Sequence, residues 1–462
     1  MQYQNIHQQL YILLQNKDRQ GIQSLSMNIH EVDLAQVIKR LTDRHIYTFL
    51  SLVPALRAAR IFRHLPSDIQ ASLVRSMAKT QLEELCTRLS PDDRADLYNR
   101  LPAALRQTLL GAMTDAERED TQRLASYSEN LVGSIMSSDC ASLPADITVG
   151  EGLQRLRSTA ADRESIYTLY VVDEMRRLIG VVSLRELFLA DSKASIATIM
   201  QRDLVSIQAD APKGEAAEMI AHYNLLALPV LNRDRQLLGM VTVDDAMDVA
   251  EEEDANRIAR FGGTAALGGP ELDLRESSTF SMFNARFFWL AVLTVFGILT
   301  SNLVAAQEDL LSEVLILAAF IAPIIDMGGN AGSQSATLVI RSMGMGQLKL
   351  SMRDFFFVLR RDLPVAVALG VGVAVLEGVM AFWSKSIGWD IVLIVSLSAM
   401  TVTIVGSLLG LALPFVARKL GTDPATLSSP MLTSIMDLLG VLIYFGFAYV
   451  FLGSALAGAG YA

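Results

Sequence analysis

From Phe287 onward this chain carries five apolar stretches of about 20 residues, the length an α-helix needs to cross a hydrocarbon core of roughly 30 Å. They lie near Phe287–Ala306, Leu311–Arg341, Leu363–Trp383, Ile391–Pro414 and Met431–Phe451. Hydrocarbon offers no water to exposed peptide groups, so such segments must satisfy their backbones internally, as helices. Arg341, Lys349, Arg353, Arg360 and Arg361 separate the second and third stretches, and Arg418 and Lys419 the fourth and fifth. The alternate loops carry Glu308, Asp309 and Glu313, or the short turn from Lys385 to Asp390. Basic loops face the cytoplasm, which places the N-terminal portion inside and, after five crossings, the uncharged "GSALAGAGYA" tail outside.

The first two-thirds of the 462 residues hold most of the charge and read as soluble structure, so more than one domain is expected. Met1 to Leu25 is polar and lacks a secretory signal pattern, consistent with a cytoplasmic N-terminal part. Cys86 and Cys140 have no metal-ligand spacing and read as packing residues in a reducing compartment. A net charge of -10 argues against nucleic acid, whose phosphates require a basic surface. Clustered carboxylates instead attract cations.

The second apolar stretch contains "IAPIIDMGGNAGSQSATLVIR", where small polar residues stand at membrane depth. Ionisable groups in spans are costly unless they face protein or water. The candidates are Asp326, Glu377 and Asp437. Asp437 reads as a cation ligand facing a pore, the alternative being a carboxylate paired with a neighbouring helix. It lies roughly 10 Å into the membrane from the cytoplasmic start of its span, and Asn330 roughly 16 Å from Arg341, so both can reach one water-filled centre. Asn330, Ser333, Gln334, Ser335 and Thr337 supply neutral oxygens, and Gly328 and Gly329 admit close approach to backbone carbonyls. Such groups suit a hydrated hard cation that sheds its water reluctantly. Gly328 and Gly332 also fit a Gly-x-x-x-Gly helix contact. Asp326, Glu377, Glu308 and Asp309 remain secondary candidates.

Residues 1–130 read as short amphipathic helices with repeated starts, "HLPSDIQASLV" and "RLSPDDRADLY", and predict a helical superhelix. Residues 131–192 and 193–250 form a duplication: "LYVVDEMRRLIGVVSLREL" at Leu169 recurs as "LPVLNRDRQLLGMVTVDDA" at Leu228. Each copy alternates helical and strand patterns. The pair resembles tandem CBS domains, and Gly239, Thr242 and Asp245 match that family's "G-x-x-T-x-x-D" element. The resemblance implies Thr242 and Asp245 as adenosine contacts and ATP as a possible ligand; a capping Thr242 is the plainer reading. The first copy has Gly180, Ser183 and Glu186 instead. Residues 243–263 predict an acidic helix, with Ala246, Val249, Ala250 and Ile258 on one face and Asp245, Asp248, Glu252 and Glu253 on another. Carboxylates that repel one another are drawn together by a divalent cation, which gives a basis for cation sensing.

A helical N-terminal domain, tandem CBS modules, an acidic connecting helix (243–263), a linker (264–286) and a five-span domain (287–462) together resemble the MgtE family of magnesium transporters. "DMGGNAGSQSATLVIR" from Asp326 and "DPATLSSPMLTSIMD" from Asp423 carry the likeness most strongly. It implies a multidomain membrane protein: an α-helical superhelix, α/β CBS domains, a plug helix and an all-α transmembrane domain. It further implies a homodimer in the cell (inner) membrane with a central pore, in which Asp437 binds hydrated Mg²⁺ beside Asn330, Thr337 and Ser429. Regulatory Mg²⁺ held by Asp92, Asp93 and Asp96 and by Asp245, Asp248, Glu252 and Glu253 would keep that pore closed. No phosphate-binding Gly-x-x-x-x-Gly-Lys loop or catalytic constellation is present, so an enzyme is not expected. Two rival readings are a cation-coupled secondary transporter of Co²⁺, Mn²⁺ or Ni²⁺, and a nucleotide-sensing membrane receptor without transport.

Overall fold

The computed structural model describes residues 2–159, 165–264, 272, 277–349, 351–385, 387–422, 424 and 429–459. Asp423 and residues 425–428 of the second quoted motif, residues 265–271 and 273–276 of the linker and the last three residues of the tail lie outside the described residues. The chain divides into two compact units, Met1–Glu251 and Glu252–Ala462.

In the first unit the N-terminal helices are α1 (Gln2–Gln15), α2 (Arg19–Asn28), α3 (Glu31–Ile38), α4 (Asp43–Leu52), α5 (Ala55–Arg63), α6 (Ser67–Ser76), α7 (Lys79–Arg88), α8 (Pro91–Arg100), α9 (Ala103–Gly111) and α10 (Asp115–Ala125). Their starts follow local chemistry. At α8, Ser90 accepts from the Asp93 N–H, Pro91 takes the first helical position, and Asp92 and Asp93 meet the positive helix end. At α10, Thr114 and Glu117 cap reciprocally. Each helix then packs on the one two further along, α1 on α3, α3 on α5, α2 on α4 and α4 on α6, which winds the chain into a superhelix. Leu10, Ile22, Leu34, Ile46, Phe49, Phe62 and Leu73 fill its core. Cys86 is buried there, and burial pushes its thiol up to about 12, so it is a packing residue.

The duplication folds into two three-stranded sheets of matching topology. In one, β1 (Cys140–Pro144) pairs parallel with β2 (Ser165–Val172), which pairs antiparallel with β3 (Leu178–Ser183). In the other, β4 (Ile207–Gln208), β5 (Ala227–Leu231) and β6 (Leu237–Thr242) repeat the pattern. Val171 opposes Gly180 in the first sheet and Val230 opposes Gly239 in the second, so the repeat preserves strand register residue for residue. Helices α11 (Val149–Thr159), α12 (Leu184–Leu189), α13 (Ile196–Ile199) and α14 (Lys213–Tyr223) accompany the strands. From β6 the chain enters α15, Val243–Phe261. Ala246 and Val249 are buried as the apolar face requires, but Ala250 is exposed and Ile258 is 75% exposed. That face is therefore confined to the N-terminal turns, where the helix leaves the CBS core.

The second unit contains five helices long and apolar enough to cross a membrane, among the described residues. They are α16 (Thr279–Ala305), α18 (Ala318–Gly344), α19 (Met352–Lys385), α20 (Trp389–Lys419) and α21 (Ser429–Ala459); a short α17 (Glu308–Glu313) precedes α18. Both α16 and α19 start well before their apolar stretches, because a helix leaves the bilayer without a change in backbone geometry. The polar "GGNAGSQS" segment remains helical, since its peptide groups bond along the helix. The second unit's core joins Ile324, Ile394, Val395, Val402, Met436, Tyr444 and Phe445. Just before the start of α18, Tyr444 donates to the Leu317 carbonyl at 2.9 Å.

Gly328 and Gly332 of α18 lie against Gly406 and Gly410 of α20, so two Gly-x-x-x-Gly pairs interlock backbone to backbone. A side chain at Gly410 would collide with the Gly332 carbonyl, whereas one at Gly446 would meet nothing within 4 Å. Gly410→Leu is expected to destabilise the membrane unit by about 1–3 kcal/mol through overpacking. Thermal unfolding in detergent checks this, with Gly446→Leu expected to match the parent.

Candidate functional site

Helix α18 turns its glycines to α20 and a different face outward. Asp326, Asn330, Ser333 and Thr337 recur at i, i+4, i+7 and i+11, the spacing of one helical stripe. Asp326, Asn330 and Thr337 are exposed and Ser333 is half-buried. Asn330 Nδ2 donates to Asp326 Oδ2 at 2.8 Å, and the Thr337 hydroxyl donates to the Ser333 carbonyl at 2.7 Å. One N–H of Asn330 and the Thr337 hydroxyl hydrogen are thus engaged along the helix, while the Asn330 carbonyl oxygen and the Thr337 lone pairs remain acceptors. A water-clad cation presents donors, so an acceptor-rich stripe is its complement.

Helix α21 brings Asp437 to this stripe. Asp437 is half-buried on α21. Further toward the C-terminal end of α18, Ser333 and Ser429 hydroxyls share a hydrogen bond of 2.8 Å. Gly329 accommodates Thr433, and Gly440 lies against Ile325, which sets the spacing between α18 and α21. Gly328 and Gly329 are both buried in helix packing, Gly328 against Val402 and Met436. Asp326 and Asp437 lie on packed helices: Ile325, next to Asp326, meets Gly440, three residues beyond Asp437. Glu377 is half-buried on α19, whose principal packing partner is α20. Glu308 and Asp309 are exposed on α17, before the start of α18.

One helix-packed carboxylate lies outside the candidates read from sequence. Asp362 of α19 is half-buried and accepts from Ser335 Oγ at 3.0 Å, on the side of α18 away from the polar stripe. It was missed because the third span was started at Leu363; the arginines before it signalled a loop, though the helix begins at Met352.

In the first unit, Asp92 and Asp93 are half-buried at the head of α8, and Asp93 accepts from Ser90 Oγ at 2.7 Å. Arg63 pairs with Asp93 at 3.6 Å. A cavity of about 720 Å³ is lined by Arg63, Asp93, Glu117, Asp120, Asp139 and Asp244 among others. Burial disfavours the Arg63 charge, but Asp93, Asp244, Asp245 and Asp92 outweigh it and raise the guanidinium further. Asp245 is pushed up to about 6 by burial, with Asp244 and Asp93 adding to it and a hydrogen bond from Thr242 opposing. Asp248 is raised by burial and by Asp244 and Glu251. Asp92, Asp93 and Asp245 are thereby brought into one electrostatic cluster, with Asp244 as a member the sequence reading left out; its place in the "VDDA" helix start was the available signal. Asp96 is exposed and pairs with Arg100 at 3.1 Å. Glu252 and Glu253 are half-buried further along α15. Among the described residues no three His, Cys, Asp or Glu side chains converge as a dry chelating group.

Comparison with known proteins gives matching results across the whole length. A family model described as a divalent cation transporter matches residues 321–447, an MgtE intracellular N domain matches 29–130, and CBS domains match 132–193 and 196–252. The magnesium transporter MgtE of Thermus thermophilus is 34% identical over 95% of this chain and 97% of its own length. That of Bacillus subtilis is 28% identical over 98% of this chain and 99% of its own. Among solved structures, the cytosolic domain of the Mg²⁺ channel MgtE in complex with ATP is 35% identical and aligns with a TM-score of 0.50, covering 53% of this chain and 99% of that one. The soluble part of a magnesium transporter aligns with a TM-score of 0.51 at 26% identity, over 54% and 99%.

Proposed function

This chain belongs to the MgtE family of magnesium transporters, and from that premise we propose that Mg²⁺ crosses the membrane along the stripe Asp326, Asn330, Ser333 and Thr337 opposite Asp437. The protein is a multi-pass membrane transporter of Mg²⁺. The observation that carries the pore assignment is the stripe's exposure in a single chain: three of its four residues face outward at membrane depth. Lipid cannot solvate them. A second copy bringing its own stripe encloses the polar groups around water, which makes the working unit a homodimer with the pore on its symmetry axis. Asp437 and Asp326 supply charge, the neutral oxygens hold the hydration shell, and Ser429 sits at the cytoplasmic mouth.

The cell membrane is the proposed location, with the N-terminus inside and the C-terminal end of α21 outside, as the basic loops require. A dication falling through 100 mV gains about 4.6 kcal/mol, so voltage alone can drive uptake. The cytoplasmic carboxylates Asp92, Asp93, Asp96, Asp245, Asp248, Glu252 and Glu253 are proposed to bind hydrated Mg²⁺ when its cytosolic level is high, and residues 243–263 to act as the plug that closes the pore. ATP is proposed to bind the CBS module with Thr242 and Asp245 at its ribose. The ATP-bound relative supports this, as does the hydrogen bond that already poises the two side chains together.

Crosslinking tests the dimeric pore. In a chain whose own cysteines are replaced, Asn330→Cys is expected to form an intermolecular disulfide on mild oxidation, whereas Val375→Cys, on the exposed face of α19, is expected to remain monomeric. The reverse pattern would remove α18 from the pore axis.

A further inference from the structure

Gly344 is the last residue of α18, and its backbone is ordinary helix; the left-handed conformation that demands glycine occurs two residues later, at Gly346, with φ of 67°. A glycine inside a helix is unfavourable relative to alanine, so Gly344 has no conformational reason to be there. Its surroundings supply one. A Cβ at Gly344 would collide with Nη1 of Arg257, with the guanidinium carbon at 3.3 Å, so the Arg257 guanidinium lies against the bare Cα of the helix end. Both residues belong to the second unit. The cytoplasmic end of α18 is the negative pole of its helix dipole, a favourable place for a cation. The same guanidinium pairs with Asp254 at 3.0 Å, one turn back on α15. Asp254 is 73% exposed and ends the acidic run Glu251–Asp254.

We propose that Arg257 is the positioning residue through which the acidic helix α15 acts on the pore-lining helix α18. Thr337 lies seven residues, about 10 Å, along α18 from Gly344. A divalent cation drawn to the acidic run competes for Asp254 and so changes the hold of Arg257 on the end of α18. The contact thus carries cation occupancy from the connecting helix to the polar stripe. It rests on the reading that cytosolic Mg²⁺ inhibits transport, and it names the residue that transmits the inhibition.

A double-mutant cycle tests it. Purified full-length protein is reconstituted in vesicles, and Mg²⁺ flux is measured against Mg²⁺ on the cytoplasmic side for the parent, Arg257→Gln, Gly344→Ala and the double variant. Arg257→Gln is expected to raise the half-inhibiting Mg²⁺ by about tenfold or more while flux without cytoplasmic Mg²⁺ stays at the parent level. Gly344→Ala favours helix formation, so unfolding is not its expected effect; its Cβ displaces the guanidinium and shifts inhibition in the same direction. The double variant is expected to match Arg257→Gln alone. Full additivity of the two shifts, an unchanged midpoint in Arg257→Gln, or an equal loss of flux with and without cytoplasmic Mg²⁺ would each overturn the assignment. A parent that cytoplasmic Mg²⁺ does not inhibit would instead sink the regulatory reading on which it stands.

Discussion

Asp437→Ala is expected to lower Mg²⁺ flux by about a hundredfold while leaving the protein folded and in the membrane. The argument is electrostatic. With the alanine in place, each chain keeps on the path the neutral oxygens of Asn330, Ser333 and Thr337 and one carboxylate, Asp326, which already accepts from Asn330. Neutral acceptors can hold water around an ion but do not offset the cost of bringing a dication to membrane depth. Asp437→Asn preserves shape and one acceptor, and is expected to fail as well; Asp437→Glu keeps the charge and should retain part of the flux. Uptake by magnesium-starved cells distinguishes the three. Equal transport by the alanine variant would move the ion path away from α21.

The second large effect concerns inhibition. Replacing Asp92, Asp248 and Glu252 together by their amides is expected to leave flux nearly constant as cytoplasmic Mg²⁺ rises, where the parent is expected to fall by tenfold or more. Asp92 stands at the head of α8, and Asp248 and Glu252 lie one turn apart on α15. Each amide keeps its size and removes a charge that the divalent ion would neutralise. Arg63 already compensates part of the cluster through Asp93, so the variant is not expected to depend on Mg²⁺ for folding. Thermal unfolding without divalent ions, expected to be unchanged or raised, verifies that. Retained inhibition in the triple variant would discard these carboxylates as the sensor.

Much of this was legible in sequence because bilayer and strand impose simple periodicities. The five spans follow from apolar length, and the two sheets from a repeat whose register recurs exactly as spaced, Leu169 opposite Val182 and Leu228 opposite Val241. The Gly328 and Gly332 pair was visible, but its partners Gly406 and Gly410 were not, since pairing between distant helices leaves no local mark. Asp362 was lost because apolar length marks the bilayer and not the helix. The packing of α21 on α18, Gly440 on Ile325 and Thr433 on Gly329, leaves no local mark either. In α15 the period alone extended the apolar face to Ala250 and Ile258; burial stops at Val249, where the helix leaves its core.

The central claim is that this chain conducts Mg²⁺ down its electrochemical gradient through a polar path in the membrane unit. It is tested most directly with purified protein in vesicles, with voltage clamped by a potassium gradient and ionophore, no Na⁺ or H⁺ gradient, and Mg²⁺ set separately on each side. Mg²⁺ flux is expected to rise with a negative interior and to fall as Mg²⁺ is raised on the cytoplasmic face. Flux that appears only when a Na⁺ or H⁺ gradient is imposed, or no flux at any voltage, would contradict it.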